Sequence, residues 1–210
     1  ACKFRNNGQT CVCANRIYVQ AGVYDAFAAK LVAAVEKLKV GDGFEEGVAL
    51  GPLINPAAGE KVKEHIDDAK AKGATIALGA NGAMDGNFLA PTIMTGVTQD
   101  MKVAQEETFG PLAPLFKFDT EDDVIAMAND TIFGLASYFY AKDLSRVYKV
   151  AEALEYGIVG VNTGLISTEV APFGGVKQSG LGRENGKAAI EHYTQLKSVY
   201  VAMEPIDAPY

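Results

Sequence analysis

Two thiols near the start of the sequence are its most reactive side chains. The stretch KFRNNGQTCVC separates Cys11 from Cys13 by one residue and places both just after the turn-forming run Asn6, Asn7 and Gly8. The thiolate is the reactive form of cysteine, and nearby N–H groups or positive charge favour it. The turn can supply such N–H groups, so Cys11 is a candidate nucleophile. A small packed core residue is the alternative.

Neither histidine is a convincing base for Cys11. His65 lies in the charged run KVKEHIDD, which predicts a solvated helix face, and His192 lies in a late helix, where a surface or packing position is expected. A cysteine–histidine mechanism needs the two side chains in contact. The C-x-C spacing is half a zinc site at most, and Cys2 completes no known ligand pattern. We therefore expect neither a cysteine–histidine dyad nor a metal site.

Two further stretches combine glycine with polar residues. APFGGVKQSGLGRE (171–184) matches neither the P-loop spacing nor the dinucleotide-binding G-x-G-x-x-G pattern, so it is interpreted as a structural loop. EETFGP (106–111) is interpreted as a helix end followed by a turn. Its paired carboxylates could also serve acid–base chemistry, although adjacent side chains do not face each other.

The elements that must position these residues alternate between helices and strands. Apolar residues at helical spacing predict helices over 22–38, 57–72 and 143–154, and Thr120 is a predicted helix N-cap with Asp123 three residues on. Short apolar runs predict strands at 74–79, 92–97, 113–119, 136–141, 157–162 and 196–203. This alternation favours an α/β fold with a mostly parallel sheet and flanking helices. The last strand is expected to pair outside the main sheet, with another subunit.

Composition excludes several classes of protein. The 210 residues are 49% hydrophobic and 21% charged, as in an ordinary globular protein. The net charge of -7 and the lack of a basic cluster argue against nucleic-acid binding. No apolar run is long enough for a membrane span or a signal segment. Three cysteines are too few for a disulfide framework, so a reducing, cytoplasmic location is expected.

Three motifs, in order, resemble the hallmarks of the aldehyde dehydrogenase superfamily: FRNNGQTC, EETFGP and PFGGVKQSGLGRE. Between the second and third, NDTIFGLASYFYAKD and GIVGVNTG also match its pattern. Details of the flanking sequence are most similar to the branch that acts on succinate semialdehyde. The resemblance runs from Lys3 to about Met203.

The resemblance implies a domain organisation. Residues 1–187 would form the catalytic domain, and 188–210 a C-terminal helix, an oligomerisation strand and a tail. Family members also carry an N-terminal Rossmann-type NAD(P) domain, a glutamate general base and an oxyanion-hole asparagine, all upstream of the cysteine and outside this sequence. The chain alone is therefore expected to be inactive, and the complete enzyme to be a homodimer or homotetramer.

The resemblance also implies roles for residues that would handle the reaction and the cofactor. Cys11 would attack the aldehyde to give a thiohemiacetal and then a thioester. Glu107 would bind the ribose of the nicotinamide nucleotide, which is NAD or NADP, and Phe109 would pack near its ring.

The substrate side of the site is implied in the same way. Arg5 and Ser167 would hold a distal carboxylate, since a planar guanidinium suits that group, and Phe173 would line the substrate tunnel. The two neighbouring thiols themselves make Cys13 a candidate redox partner for Cys11, and a packed small residue is the alternative for Cys13. A non-catalytic association domain and a stand-alone redox-active thiol protein are the alternative functions.

Overall fold

The computed structural model describes residues 2–79, 82 and 84–203. In this part of the chain the strands are β1 (Ile17–Gln20), β2 (Lys39–Val40), β3 (Val48–Leu50), β4 (Thr75–Leu78), β5 (Met84–Asp85), β6 (Phe88–Leu89), β7 (Thr92–Val97), β8 (Leu112–Phe118), β9 (Ala136–Phe139) and β10 (Ile158–Val161). The α-helices are α1 (Tyr24–Val35), α2 (Pro56–Ala71), α3 (Lys102–Gln105), α4 (Glu121–Asn129) and α5 (Leu144–Ala153). Short 3-10 helices cover Arg5–Gly8, Ala21–Val23, Lys177–Ser179 and Lys187–His192.

The main sheet has four strands in the order β1-β8-β7-β4. The pairs β1–β8 and β7–β8 are parallel, and β4 joins β7 antiparallel. A second parallel pair joins β9 and β10, a third joins β2 and β3, and β5 with β6 forms a small antiparallel pair. The predicted α/β fold with a mostly parallel sheet and flanking helices is confirmed.

Helices cover both faces of the main sheet. On β8, Leu112 and Phe116 pack in the core cluster that contains Val62 and Ile66 of α2. Leu115, next to Phe116, packs in a second cluster with Val35 of α1. Neighbouring residues of a strand point to opposite faces, so α2 and α1 lie on opposite sides. This double cover explains why residues 112–116 are all buried.

The helix signals in the sequence are largely confirmed. Asn55 caps α2 by accepting a hydrogen bond from the N–H of Ala58 at 3.0 Å, and Gly73 follows the helix with a φ of 101°. Thr120 caps α4 through the N–H of Asp123 at 3.2 Å. The helix predicted over 22–38 from its apolar spacing is less accurate, because Val23 and Phe27 are exposed and α1 ends at Val35.

The C-terminal part of the described chain differs from its prediction. Residues 194–203, called here the C-terminal arm, have no regular secondary structure, and their side chains are exposed. The strand predicted over 196–203 therefore has no neighbour within the described residues, and its pairing with another subunit stays a prediction, as does the domain boundary at 187. Among the described residues, no helix combines the length and apolar character needed to cross a bilayer.

Candidate active site

A left-handed turn begins the loop that carries Cys11. Asn6, Asn7 and Gly8 have φ values of 50°, 56° and 77°. Asparagine and glycine are the residues that adopt this region most readily. A Cβ atom at Gly8 would lie 2.1 Å from the carbonyl oxygen of Gly110. Only glycine allows this approach, which brings the Cys11 loop against the turn that contains Phe109.

Side chains fasten the Cys11 loop to the segment after β3. Asn7 is fully buried and donates from Nδ2 to the carbonyl of Gly51 at 2.9 Å. Gln9 accepts from the N–H of Ile54 at 2.9 Å and donates to the carbonyl of Pro52 at 3.3 Å. The loop geometry is therefore specified by residues about forty positions further along the chain.

The candidate nucleophile lies at the tip of this loop. The N–H of Cys13 donates to the carbonyl of Thr10 at 2.8 Å, which closes a tight turn around Cys11. The Tyr138 hydroxyl donates to the carbonyl of Val12 at 2.8 Å and fixes the turn to β9. Cys11 is exposed, whereas Cys2 and Cys13 are partly buried. All three are free thiols. An exposed thiol on a fixed turn is accessible to a substrate carbonyl.

Asn15 joins the Cys11 loop to the turn that carries Glu107 and Phe109. Its Nδ2 donates to the carbonyl of Glu106 at 2.8 Å, and its Oδ1 accepts from the N–H of Thr108 at 2.9 Å. Phe109 has a φ of 51° and is 40% exposed, and Glu107 is also exposed. The structure thus brings the predicted cofactor residues to the same loop cluster as Cys11. The interpretation of EETFGP as a helix end and turn is confirmed by α3 ending at Gln105.

The prediction that His65 is solvated is wrong. His65 is fully buried, with Nδ1 3.0 Å from Thr108 Oγ1 and Nε2 3.3 Å from Glu106 Oε2. Burial lowers the pKa of His65, and the hydrogen bond that its ring donates to the Glu106 carboxylate opposes this shift. Helical spacing in the sequence could have predicted this burial, because His65 lies three residues after the buried Val62 and four before the buried Ala69. His192 is exposed, as expected, and accepts from the N–H of Arg183.

The predicted carboxylate-binding residues line one small cleft. Its volume is about 10 Å³, and its walls are Cys2, Arg5, Val12, Cys13, Tyr138 and residues 164–167. Arg5 and Ser167 therefore line the same cleft, although they are far apart in the sequence. Cys2 and Tyr138 also belong to this cleft, and neither carried a sequence signal for it.

Two ionisable groups beside the cleft are strongly perturbed. Lys3 is 5% exposed, and burial lowers its pKa to about 8, while the neighbouring Cys13, Cys2 and Glu107 act in the opposite direction. Burial raises the pKa of Tyr138 to about 12, and the cysteines add to the rise. The Tyr138 phenol therefore stays protonated and keeps donating to the Cys11 loop at neutral pH.

Phe173 lies in the glycine-rich stretch and apart from the cleft walls. It forms an antiparallel bridge with Glu184, with N···O distances of 2.8 and 2.7 Å. A Cβ atom at Gly157 would lie 2.0 Å from the carbonyl oxygen of Gly174. The stretch is therefore a closely packed structural loop, as interpreted from the sequence. The tunnel role of Phe173 stays a prediction.

No metal centre emerges from the described residues. Among residues 2–79, 82 and 84–203, no group of three or more His, Cys, Asp or Glu side chains is arranged to hold a metal ion.

Comparison with curated proteins identifies relatives of the whole chain. It is 65% identical over 201 residues to a glutarate-semialdehyde dehydrogenase of Pseudomonas putida, covering 96% of this chain and 42% of the relative. It is 62% identical to an NADP-dependent succinate-semialdehyde dehydrogenase of Escherichia coli, covering 97% of this chain and 42% of the relative. The chain thus spans about two fifths of the length of these relatives.

Solved structures and family membership agree with this result. A succinate-semialdehyde dehydrogenase from Burkholderia pseudomallei superposes with a TM-score of 0.89 at 63% identity, covering 91% of this chain and 40% of that one. The profile of the aldehyde dehydrogenase family matches residues 1–199. With the family profile over nearly the whole chain and relatives above 60% identity, the chain belongs to the aldehyde dehydrogenase family.

Proposed function

We propose that this chain is the catalytic portion of an NAD(P)-dependent aldehyde dehydrogenase whose preferred substrate is succinate semialdehyde. The observation that carries the proposal is the cleft that Arg5 shares with Ser167, beside the Cys11 loop. The relatives from E. coli and B. pseudomallei are named for succinate semialdehyde, and the one from P. putida for glutarate semialdehyde. Both aldehydes carry a carboxylate at the far end, which a guanidinium binds well.

Cys11 is the proposed nucleophile. Its thiolate attacks the aldehyde carbon, a C–S bond forms and the carbonyl oxygen becomes an oxyanion. The backbone N–H of Cys11 is proposed to help hold that oxyanion, and such a donor contributes about 3 kcal/mol in acyl-transfer sites. Loss of hydride from the same carbon leaves a thioester on Cys11. Attack by water then releases the carboxylic acid and the thiol.

The exposed turn at Glu107 and Phe109 fits the nicotinamide end of a dinucleotide. The Glu107 carboxylate can accept hydrogen bonds from ribose hydroxyls, and the half-exposed ring of Phe109 offers a planar apolar surface. The bound cofactor would supply the acceptor for the hydride. The name of the E. coli relative favours NADP, and the rest of the cofactor site is proposed to lie in the segment that those relatives carry upstream.

The isolated chain is proposed to turn over poorly. The resemblance places the general base, a glutamate, in the upstream segment, and losing such a base typically costs about 10²- to 10⁴-fold in rate. The enzyme extended to the length of its relatives, called here the full-length enzyme, is proposed to be a homodimer or homotetramer in the cytoplasm. The exposed apolar side chains of the C-terminal arm support association.

The test compares two aldehydes in the full-length enzyme. Arg5→Ala should raise KM for succinate semialdehyde about 10- to 100-fold, because a charged hydrogen bond contributes roughly 1.5–3 kcal/mol. KM for butanal, which lacks the carboxylate, should change little. Initial rates of NADPH formation measure both constants.

Arg146→Ala is the matched control. This arginine is also exposed but pairs with Glu121 at 2.7 Å, away from the cleft, so neither KM should change. Cys11→Ala should abolish oxidation of both aldehydes. Equal effects of Arg5→Ala on the two aldehydes would reject the carboxylate role, and substantial activity in Cys11→Ala would reject the nucleophile.

A further inference from the structure

Cys2 and Cys13 are neighbours through the backbone. The N–H of Ala14 donates to the carbonyl of Cys2 at 2.8 Å. With standard bond lengths, this hydrogen bond places the Cα atoms of Cys2 and Cys13 roughly 5–7 Å apart. Disulfides need a Cα separation of about 4.4–6.8 Å, which overlaps most of this range.

The side chains of Cys2 and Cys13 also face the same space. Both line the cleft of about 10 Å³ that contains Arg5, which is about the room that one water molecule occupies. The two thiols therefore border one small shared space. Cys11 is not among the cleft walls and is exposed at the tip of its turn.

A buried cation lies beside this pair. Lys3 is 5% exposed, and Cys13 and Cys2 are the two groups whose negative charge most favours its protonated form. The Lys3 side chain therefore lies close to both cysteines of the cleft.

We propose that Cys2 and Cys13 form a reversible disulfide that narrows the Arg5 cleft and leaves Cys11 as a free thiol. The oxidant is a hydroperoxide. The Cys13 thiolate attacks the terminal peroxide oxygen, the O–O bond breaks, and Cys13 becomes a sulfenic acid. The Cys2 thiol then attacks that sulfur, the S–S bond forms and the S–O bond breaks, releasing water. Two thiols lose two electrons and two protons, and hydrogen peroxide is reduced to two waters.

This assignment differs from a Cys11–Cys13 redox pair, the partnership expected from the sequence. The consequence also differs, because the bond would form in the cleft proposed for the substrate carboxylate and not at the nucleophile. Oxidation should then weaken binding of anionic aldehydes while Cys11 stays reactive. This functional consequence rests on the proposed function, but the disulfide itself does not.

Peptide mapping tests the bond directly on this chain. The chain is treated with hydrogen peroxide, the remaining thiols are alkylated, and a tryptic digest is analysed by mass spectrometry without reductant. Cleavage after Lys3, Arg5 and Arg16 separates Cys2 from the peptide 6–16, which carries both other cysteines. A Cys2–Cys13 bond appears as a cross-linked pair of peptides with Cys11 alkylated, and a dithiol reductant removes it.

Variants make the mapping decisive. Cys2→Ser and Cys13→Ser should each abolish the cross-linked pair, and Cys11→Ser should retain it. An internal Cys11–Cys13 bond within peptide 6–16, or sulfinic acid on Cys13 with Cys2 fully alkylated, would overturn the proposal. The wild-type map alone distinguishes these outcomes, so a poorly folding variant does not weaken the test.

A second measurement uses the full-length enzyme. Peroxide treatment should raise KM for succinate semialdehyde about tenfold, as expected for losing a charged hydrogen bond, and a dithiol should reverse the change. The rate at which iodoacetamide alkylates Cys11 should stay within about twofold, because the thiol remains free. A Cys2–Cys13 disulfide that forms without this change in KM would contradict the substrate role of the cleft. Loss of Cys11 alkylation would contradict the proposed disulfide.

Discussion

The main sheet and the C-terminal arm are packed in opposite ways. Residues 112–116 of β8 are buried on both faces of the sheet. In the arm, Leu196, Tyr200 and Met203 are each more than 90% exposed. Apolar residues thus occur in both regions, but only the sheet region buries them within the described chain.

This difference in packing indicates different roles for the sheet region and the C-terminal arm. The Cys11 loop packs closely against the Phe109 turn at Gly8 and Gly110, and Gly110 lies two residues before the start of β8. The arm exposes contiguous apolar side chains, which in other proteins mark surfaces for association. We infer that the sheet region fixes catalytic geometry and that the arm contributes to assembly.

The largest expected effect is in the centre of the sheet region. Phe116 is 1% exposed and packs 5.1 Å from the ring of Tyr18. Phe116→Ala should lower the free energy of unfolding by about 3–5 kcal/mol, through lost burial and a residual cavity. Urea denaturation measures the change. Leu181→Ala, at a fully exposed leucine, is the control and should stay within about 0.5 kcal/mol.

The next effect concerns the attachment of the Cys11 loop. Gly8→Ala places a Cβ atom 2.1 Å from the Gly110 oxygen at a φ of 77°, so we expect a loss of about 3 kcal/mol. Iodoacetamide should also alkylate Cys11 at a changed rate, because the turn must move. Gly22→Ala has open space and is the control in urea denaturation. Similar unfolding free energies for the two variants would show that the close approach is unimportant.

A smaller effect depends on pH. Burial lowers the pKa of His65 in the folded chain below the unfolded value of about 6.5. Below that pH the unfolded chain therefore binds more protons than the folded chain. The contribution of His65 to the free energy of unfolding is complete above that pH and is lost as pH falls through the folded pKa. His65→Leu should remove this dependence between about pH 7 and 5.5.

The same substitution has a cost at neutral pH. His65→Leu leaves Thr108 and Glu106 without their ring partner, and we expect about 1–3 kcal/mol of destabilisation. Unfolding free energies across the pH range measure both effects. His192→Leu changes an exposed histidine, so its pH profile should follow the wild type. A wild-type profile that is flat down to pH 5.5 would contradict the role of His65.

The smallest effect is expected in the arm. Tyr200→Ser should change the free energy of unfolding of the isolated chain by no more than about 0.5 kcal/mol, because Tyr200 is 94% exposed. In the full-length enzyme, the same change should shift the oligomer towards smaller species, as measured by light scattering after gel filtration. A loss above about 1 kcal/mol in the isolated chain would show that the arm packs on its own subunit.

Local patterns in the sequence were sufficient for elements whose signals are local. The strand predicted at 92–97 is β7, and the Thr120 cap begins α4 as expected. β1, by contrast, lies where the sequence analysis predicts no element, because its four residues become a strand only by pairing with β8. Local spacing carries no information on such a distant partner.

The site shows the same limit. Motif resemblance made Arg5, Cys11 and Glu107 candidate site residues, whereas the burial of Lys3 and the proximity of Cys2 to Cys13 depend on tertiary contacts. Those contacts are made by groups far apart in the sequence, and no spacing rule connects them. Sequence reasoning therefore found the residues with family motifs and missed the residues that surround them.

The hydrogen bond from Tyr138 to the Cys11 loop has a consequence for biosynthesis. It spans 126 residues, and ribosomes add about 5–20 residues per second. The two cysteines of the loop are therefore synthesised about 6–25 seconds before the tyrosine that holds them in place. During that interval the nascent chain presents its thiols on an unfolded segment, so their protection from oxidants must come from the cell and not from the fold.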